Sequence, residues 1–293
     1  MSSSEQPEGL SIRSYQTLSS GTKIPSLGLG VYKNTGETVV TACLAALEAG
    51  YRHIDSAQMY ANEAEVAEAI SKSGLPRSEI FVTTKIQSRD WKEVDKHVKS
   101  SHRQFSRHDN DRFWFGPINL LLIHDPRIDP ADRLSMWKDF LKARDEGLVE
   151  NVGVSNFAVR HLQQIVDAGL ELPSVNQVEL HPFCQRRDIV KWCRENGVVV
   201  EAYCPLVRGR NWDNPTLVNL SEKYERDTGQ ILVRWSLQKG FIPLPKSSQA
   251  HRVKHNADVF NFNISEEDMA ALDALDQGDA GAIAGWNPPI NVP

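Results

Sequence analysis

Eight short apolar runs alternate with helix-like segments along most of this 293-residue chain, and this alternation limits the possible folds more than any other feature. The runs lie near residues 27–31, 52–55, 80–85, 118–123, 150–154, 174–178, 198–203 and 241–244. Several are continuously apolar or β-branched, such as INLLLI and VVVEAY, which is typical of strands buried on both faces of a parallel sheet. Eight strands in alternation with helices predict an α/β protein with a (β/α)8 TIM barrel.

The segments outside the eight units have their own signals. Residues 15–26 are expected to form an N-terminal β-hairpin. Ser265 with Asp268 is expected to start an extra C-terminal helix, which is followed by a tail. We expect one domain over residues 1–293, in which 1–12 form a disordered leader and 107–117 emerge at the floor of the barrel.

Glycine and asparagine positions refine this assignment. An open, doubly wound sheet needs a phosphate-binding fingerprint after its first strand, but Gly28 and Gly30 are followed by Lys33 where the third glycine would stand. The barrel is therefore favoured.

Asn62 is predicted to cap one helix, in a capping box with Glu65, and Asn156 is predicted to cap another.

Composition excludes several classes of function. The chain is 40% hydrophobic and 24% charged, carries a net charge of −5 and has no run of basic residues, so nucleic acid is not an expected partner. It has neither a signal-peptide pattern nor an apolar stretch of about 18 residues, so no membrane is expected either. The four cysteines lack zinc-ligand spacing and are too few for a disulfide framework, which favours a reduced, cytoplasmic protein.

Polar residues end most of the apolar runs. Asp55 ends the second run, Lys85 ends the third and His124 follows the fourth, while Tyr60 lies in the loop after Asp55. Because the catalytic residues of such barrels lie at the carboxyl ends of the strands, these side chains are expected to converge at one rim. Later strand ends add further polar residues to that rim, namely Ser155, Asn156, Gln177, Tyr203, Lys246 and Ser247.

A phenol, an amine, a carboxylate and an imidazole at one point are typical of a site that transfers protons. A carbonyl group under reduction gains negative charge on its oxygen and needs a proton donor. Tyr60 fits that role if the Lys85 ammonium lowers its pKa, with Asp55 keeping the ammonium charged and oriented. His124 can donate a hydrogen bond to the same carbonyl oxygen.

Each of these residues also has a purely structural interpretation. Asp55 and Lys85 alone are consistent with a structural ion pair. Tyr60 alone is consistent with a surface residue, and His124 with a hydrogen-bonded histidine. No metal site is predicted, because no two histidines have ligand spacing on one element and His53 is expected to face the helix layer.

The chain resembles the aldo-keto reductase family, in its fungal NADPH-dependent aldehyde and ketone reductase type, from the hairpin to about residue 277. The stretch DSAQMYANE, together with Lys85 and His124, is highly specific, and PLPKSS followed by Arg252 and Asn256 is a second signature. The other matching stretches are GLGVYK, FVTTKI, LLLIHDP, VGVSNF, VNQVELHP, EAYCPL and VRWSLQKG.

The resemblance implies an NADP-dependent alcohol dehydrogenase that acts on a small carbonyl substrate, with NADPH extended across the barrel mouth. The implied catalytic residues are Asp55, Tyr60, Lys85 and His124. The implied nicotinamide contacts are Ser155, Asn156, Gln177 and Tyr203, the implied phosphate and adenine contacts are Pro205, Leu206, Lys246, Ser247, Arg252 and Asn256, and the implied substrate contacts are His124 and Tyr32. Two cations at the 2′-phosphate favour NADPH over NADH.

Three departures from the family pattern concern the substrate side. Asp125 stands where many relatives have a tryptophan, the segment 126–132 is short, and the tail after Asp276 is modest. These features predict an open substrate site. A regulatory subunit that binds NADPH with little turnover, and a barrel lyase that forms a Schiff base on Lys85, stay open as alternatives. The protein is expected to be a monomer or a weak homo-oligomer.

Overall fold

The computed structural model of the protein describes residues 9–106, 116–285 and 292. Its strands are β1 (Tyr15–Thr17), β2 (Lys23–Pro25), β3 (Leu29–Gly30), β4 (His53–Asp55), β5 (Phe81–Ile86), β6 (Ile118–Ile123), β7 (Val149–Ser155), β8 (Val175–Glu179), β9 (Val199–Tyr203) and β10 (Ile242–Pro243). Its α-helices are α1 (Glu37–Glu48), α2 (Glu63–Lys72), α3 (Val94–Phe105), α4 (Pro130–Asp145), α5 (Val159–Asp167), α6 (Arg187–Glu195), α7 (Pro215–Tyr224), α8 (Thr228–Gln238), α9 (Ala250–Ala257) and α10 (Glu266–Asp273).

Strands β3 to β10 form one parallel sheet in chain order, and this sheet closes into a barrel. The closing contacts join β3 to the strand on the other edge, β10. The backbone N–H of Gly28 donates to the carbonyl of Pro243 at 3.1 Å, and that of Gly30 donates to the carbonyl of Pro245 at 3.1 Å. The predicted (β/α)8 barrel is therefore confirmed, and all eight carboxyl ends of its strands face the same rim.

The N-terminal hairpin formed by β1 and β2 is also confirmed, and it covers the opposite end of the barrel. Leu18 and Ile24 of the hairpin join a small apolar cluster with the inward side chains Phe81, Leu120 and Val175. Because this cluster fills the floor, a ligand reaches the barrel interior from the other rim, where the polar strand ends lie.

The larger core lies between the outward side of the strands and the surrounding helices. Alternation along β6 explains how one strand serves both cores. Leu121 and Ile123 face the helices, whereas Leu120 and Leu122 point into the barrel. Two of the four free cysteines, Cys43 and Cys193, are buried small residues on helices of the outer layer.

The predictions for the two ends of the chain have different outcomes. Residues 1–8 of the predicted leader lie outside the described residues, but Leu10 and Ile12 pack against the core. The extra C-terminal helix is present as α10, and the Ser265 hydroxyl accepts a hydrogen bond from the Asp268 N–H at its start. Residues 107–115 of the long connection into β6 lie outside the described residues.

The predicted helix cap at Asn62 is wrong. Asn62 precedes α2, but its side chain does not cap that helix. Its amide instead donates to the carbonyls of Val31 and Asn34 and accepts from Ser56, so it ties the loop after β3 to the loop after β4.

Candidate active site

The Lys85 ammonium and the Asp55 carboxylate form a buried ion pair at the centre of the barrel mouth. The Lys85 Nζ lies 2.6 and 2.7 Å from the two carboxylate oxygens and 2.8 Å from the carbonyl oxygen of Ser56. Lys85 is fully buried and Asp55 is 4% exposed. A charge pair with so little water is stabilised only by good geometry and by further hydrogen bonds, and both are present here.

Tyr60 and His124 meet above this pair. The ring centroids of Tyr60 and His124 are 5.7 Å apart in an edge-to-face arrangement, and the Lys85 Nζ is 5.3 Å from the centroid of the Tyr60 ring. The structure thus brings together all four side chains that the strand ends indicated. Tyr60 is placed by a short 3-10 turn, Gln58–Tyr60, directly after β4.

The predicted net lowering of the Tyr60 pKa is wrong for this structure. Burial raises the pKa of the Tyr60 hydroxyl well above its usual value, and the nearby Asp55 charge raises it further. The charge of the Lys85 ammonium, which donates to Asp55 and to the Ser56 carbonyl, does not outweigh these two effects. Tyr60 therefore keeps its proton, which is the state that a general acid needs before it reacts.

His124 is a neutral imidazole in this setting. Burial lowers its pKa to about 3, and the positive charges of Lys85 and Arg127 lower it further, whereas Asp125 opposes the change. Its Nδ1 is buried without a hydrogen-bond partner among the described residues. A neutral ring at any pH above about 3 carries one N–H, so His124 can donate a hydrogen bond without taking part in the proton transfer.

A buried polar network lies beneath the ion pair, on the inward faces of β4, β8 and β9. The Gln177 Nε2 donates to Asp55 Oδ2 at 2.9 Å and to Glu201 Oε2 at 2.7 Å. Burial raises the pKa of Glu201, and the Asp55 charge adds to this effect, so the neutral form of Glu201 is favoured. Because both hydrogens of the Gln177 amide point at carboxyl groups, its oxygen is left as an acceptor for a ligand amide.

The expected orientation of His53 is also wrong. Its Nε2 lies 2.9 Å from the Thr83 hydroxyl inside the barrel, not in the helix layer. A strand side-chain period of two places His53 on the same face as Asp55. Glu201 is 3.6 Å away, but the two do not form an ion pair at neutral pH, because burial lowers the pKa of His53 to about 3.

Glu201 is a site residue that the sequence interpretation missed. It lies two positions before Tyr203 in the run VVVEAY, and a charged residue inside a buried apolar strand was the available signal. The same two-residue period that places Tyr203 at the rim turns Glu201 into the barrel.

Ser155, Asn156 and Tyr203 form a hydrogen-bonded wall beside Gln177. The Tyr203 hydroxyl donates to Asn156 Oδ1 at 2.8 Å, and the Asn156 amide donates to the His124 carbonyl at 3.0 Å. The Ser155 hydroxyl donates to the Gln177 carbonyl at 2.9 Å. Asn156 has a φ of 64° and does not cap α5, contrary to the prediction, because its side chain is turned into this wall.

A cavity of about 610 Å³ opens above these groups at the barrel mouth. Its walls include eleven of the residues expected to contact substrate or cofactor or to transfer the proton, namely Tyr32, Asp55, Tyr60, His124, Ser155, Asn156, Gln177, Tyr203, Pro205, Leu206 and Lys246. The Tyr32 ring, 5.0 Å from the Tyr60 ring between centroids, forms the wall next to Tyr60.

The loop after β9 has an unusual backbone where it borders the cavity. Cys204, Val207, Arg208 and Asn211 all have φ between 44° and 57°, the left-handed region that non-glycine residues rarely adopt. Such conformations persist only where the surrounding structure imposes them, and they are concentrated at ligand sites. This loop therefore belongs to the site as much as the strand ends do.

Two exposed lysines on the β3–β10 side of the cavity lie close enough to repel. Partial burial of the ammonium lowers the pKa of Lys246, and the charge of Lys33 lowers it further. An anion between two such ammonium groups would relieve their repulsion. The remaining residues of the predicted phosphate end, Ser247, Arg252 and Asn256, follow Lys246 in the chain, the last two on α9, and do not line the described part of the cavity.

No cluster of three or more His, Cys, Asp or Glu side chains within the described residues is arranged to hold a metal ion. In the same part of the chain, none of the helices is long and apolar enough to cross a membrane.

The comparisons with known proteins agree with one another. A family model described as the aldo/keto reductase family matches residues 25–277. An uncharacterized oxidoreductase of Schizosaccharomyces pombe is 38% identical over 284 residues, which cover 95% of this chain and 98% of that protein. The glyoxal reductase of Bacillus subtilis is 35% identical over 92% of this chain and 95% of its own length. The crystal structure of a Bombyx mori aldo-keto reductase in complex with NADP superposes with a TM-score of 0.83, at 30% identity over 95% of this chain and 99% of that chain.

Proposed function

Since the chain belongs to the aldo/keto reductase family, which implies NAD(P)H-dependent carbonyl reduction, we propose that it reduces aldehydes or ketones to alcohols with NADPH. The observation that carries this proposal is the meeting of Tyr60 and His124 at one cavity wall above the buried pair of Lys85 and Asp55. NADPH, when bound, supplies the hydride.

Residues of the chain supply the proton, orient the carbonyl oxygen and stabilise the charge that develops. Tyr60 donates the proton to the carbonyl oxygen, and His124 orients that oxygen by a hydrogen bond from its neutral ring. Lys85 stands 5.3 Å from the Tyr60 ring centroid, so its charge stabilises the phenolate that the transfer leaves. Asp55 holds the ammonium in place.

The nicotinamide end of the cofactor fits the wall formed by Ser155, Asn156, Gln177 and Tyr203. The acceptor oxygen of Gln177 is suited to the carboxamide NH₂, because Asp55 and Glu201 fix the orientation of the Gln177 amide. The half-buried ring of Tyr203 lines the cavity and offers a face for stacking. Pro205 and Leu206 continue this wall toward the phosphate end.

We expect the phosphate end to select NADPH. Arg252→Gln and Lys246→Met should each raise the KM for NADPH about 10- to 100-fold, because each removes a charge-assisted hydrogen bond to the 2′-phosphate. The KM for NADH should change little. Steady-state kinetics with both cofactors measures the difference.

Lys254→Gln is the matched control, because Lys254 lies on the same helix as Arg252 but pairs with Glu48 at 2.7 Å. An equal loss of NADPH binding in this control, or equal effects on NADH, would reject the assignment of Arg252 and Lys246 to the phosphate.

The pH dependence of reduction should identify the proton donor. Because the pKa of His124 is lowered to about 3, this ring stays neutral above that pH, and kcat/KM should show no ionisation near 6.5, the usual pKa of histidine. Because the pKa of Tyr60 is raised, its protonated, active form should persist into alkaline solution. A loss of kcat/KM as the pH rises through 6.5 would instead assign the proton to His124.

A Schiff-base lyase is disfavoured by the surroundings of Lys85. Its ammonium donates to three acceptors, and a charged amine is a poor nucleophile. Trapping of a carbonyl compound on Lys85 by borohydride would nevertheless restore this alternative.

Kinetics on a panel of aldehydes and ketones with NADPH and NADH tests the proposal as a whole. Turnover with NADPH supports it. Tight NADPH binding without turnover across the panel would favour the regulatory alternative. The proposal includes a cytoplasmic location, in keeping with four free cysteines, and a monomeric or weakly associating protein.

A further inference from the structure

The C-terminal segment, residues 276–285, packs against the loop that follows β8 and ends at the barrel mouth. The backbone N–H of Gln277 donates to the carbonyl of Phe183 at 2.9 Å. A Cβ atom added at Gly281 would lie only 1.8 Å from the same carbonyl oxygen, so the two backbones are in direct contact there. Ala284 lines the cavity. The segment therefore contributes to one wall of the candidate site.

A buried carboxylate at the end of β8 holds this segment in place. Glu179 is 1% exposed, and its Oε1 accepts from the backbone N–H groups of Ile283 and Ala284 at 2.5 and 3.0 Å. The His181 Nε2 lies 3.2 Å from the same oxygen. Burial alone would raise the pKa of Glu179, but these hydrogen bonds hold it below its usual value, so the group is a charged and therefore strong acceptor.

Glu179 lies beside the wall that we assign to the nicotinamide. The two-residue period of β8 puts Glu179 on the same face as Gln177, one step nearer to the rim. Its neighbour across the sheet is Tyr203, at the end of β9. Glu179 itself does not line the cavity within the described part of the chain, so it influences a ligand through the C-terminal segment.

The contact between the C-terminal segment and the loop after β9 is weaker than the contact with Glu179. The carbonyl of Ala284 accepts from Arg208 at 3.4 Å, which is long for a hydrogen bond from nitrogen to oxygen. The anchor at Glu179 therefore determines where this segment lies. Without the anchor, the segment would have to be ordered each time a ligand binds, and this ordering lowers the affinity.

From these contacts we propose that Glu179 is a positioning residue for the nicotinamide end of the cofactor site, which retains bound NADPH by fixing the C-terminal segment beside Tyr203. The inference rests on the proposed function, because it takes NADPH as the cofactor. The residues that we assign to the 2′-phosphate follow β10 or lie on α9. Loss of the anchor should therefore weaken binding of the whole cofactor but not of its adenosine phosphate end.

The test compares the dissociation constants of NADPH and of 2′,5′-ADP, a fragment that lacks the nicotinamide end, by calorimetric titration. In Glu179→Ala the affinity for NADPH should fall about tenfold, roughly the cost of ordering one residue on binding. The affinity for 2′,5′-ADP should not change. Glu179→Gln should keep most of the affinity for NADPH, because its amide oxygen can still accept from both backbone N–H groups.

Gly281→Ala tests the same contact with Glu179 intact, because the added methyl group must displace the segment from Phe183. It should reproduce the selective loss of NADPH affinity. Hydrogen exchange at the amides of Ile283 and Ala284 measures the docking itself and should be faster in both variants than in the wild type. If Glu179→Ala does not fold, the same comparisons with Gly281→Ala decide the question.

Asp268→Ala is the matched control for the loss of a buried carboxylate near the C-terminus. Asp268 is 7% exposed, accepts from Lys223 at 2.7 Å and does not line the cavity in the described residues. Both of its dissociation constants should equal those of the wild type.

Two results would overturn the inference and leave the reductase function standing. An equal loss of affinity for NADPH and 2′,5′-ADP in Glu179→Ala would show a general structural role. Faster exchange at Ile283 and Ala284 with unchanged NADPH affinity would show that the docked segment plays no part in cofactor binding. A wild-type protein that binds neither molecule would instead reject the proposed function itself.

Discussion

Tyr60→Phe is expected to lower kcat for carbonyl reduction by about 10²–10⁴-fold, the usual contribution of a general acid. The variant removes the only hydroxyl that we assign as proton donor and leaves the ring that packs against Tyr32 and His124. Among the described residues the Tyr60 hydroxyl makes no hydrogen bond, so the stability of the fold should change by less than about 1 kcal/mol.

Single-turnover kinetics and fluorescence titration with NADPH separate the two effects. Cofactor affinity should stay within a few fold of wild type while the chemical step slows. Tyr32→Phe is the matched comparison, because it removes a second phenol from the same cavity. It should alter KM for the carbonyl substrate and change kcat by less than about tenfold. A Tyr60→Phe variant with near-normal kcat would remove Tyr60 from the mechanism.

The polar residues at the rim of the barrel could be predicted from the sequence, because their position depends only on the order and direction of the strands. Once the apolar runs are read as parallel strands, the polar residues at their ends must share one face. Asp55, Lys85, His124 and Gln177 were placed correctly for this reason. Tyr60 followed from its distance of five residues beyond Asp55, which a short turn spans.

The predictions that were wrong concern properties that depend on contacts between different strands of the barrel. The sequence of one strand does not show these contacts. The pKa of Tyr60 was expected to fall because Lys85 is near, but the sequence does not show that Asp55 and the Ser56 carbonyl already occupy that ammonium. Burial then decides the direction of the change.

The predicted helix caps at Asn62 and Asn156 are wrong for a related reason. An asparagine before a helix is a common cap, yet both amides are used to join neighbouring loops at the rim. A capping hydrogen bond to the nearby helix competes with these long-range hydrogen bonds for the same side-chain amide. At the barrel mouth the long-range hydrogen bonds form. The misplaced caps therefore mark positions where the site, not the helix, determines the side-chain conformation.

Glu201 shows what a stricter use of periodicity would have found. Counting back by two from each rim residue selects His53 from Asp55, Thr83 from Lys85 and Glu201 from Tyr203. These residues form the polar layer beneath the ion pair, and burial is the largest cause of the pKa shifts of His53 and Glu201. That layer fixes the Gln177 amide, and through it the cofactor end of the site is linked to Asp55.

Lys85→Met is expected to abolish most of the activity and also to destabilise the fold by about 3–5 kcal/mol. The loss of activity follows because the phenolate left on Tyr60 would have no nearby cation. The loss of stability follows because Asp55, 4% exposed, would keep a buried negative charge without its partner. Urea denaturation measures the free energy of unfolding, and NADPH-dependent turnover measures the activity.

The double variant Asp55→Asn with Lys85→Met separates these two consequences. Removing both charges should restore about 2–3 kcal/mol of the lost stability, because no buried charge is then left unpaired. It should restore no activity, because the cation beside Tyr60 is still absent. Lys99→Met controls for the loss of a lysine, since its exposed pair with Asp95 should contribute less than about 1 kcal/mol. Recovery of turnover in the double variant would show that Lys85 serves only to neutralise Asp55, and the catalytic role of the ammonium would then be rejected.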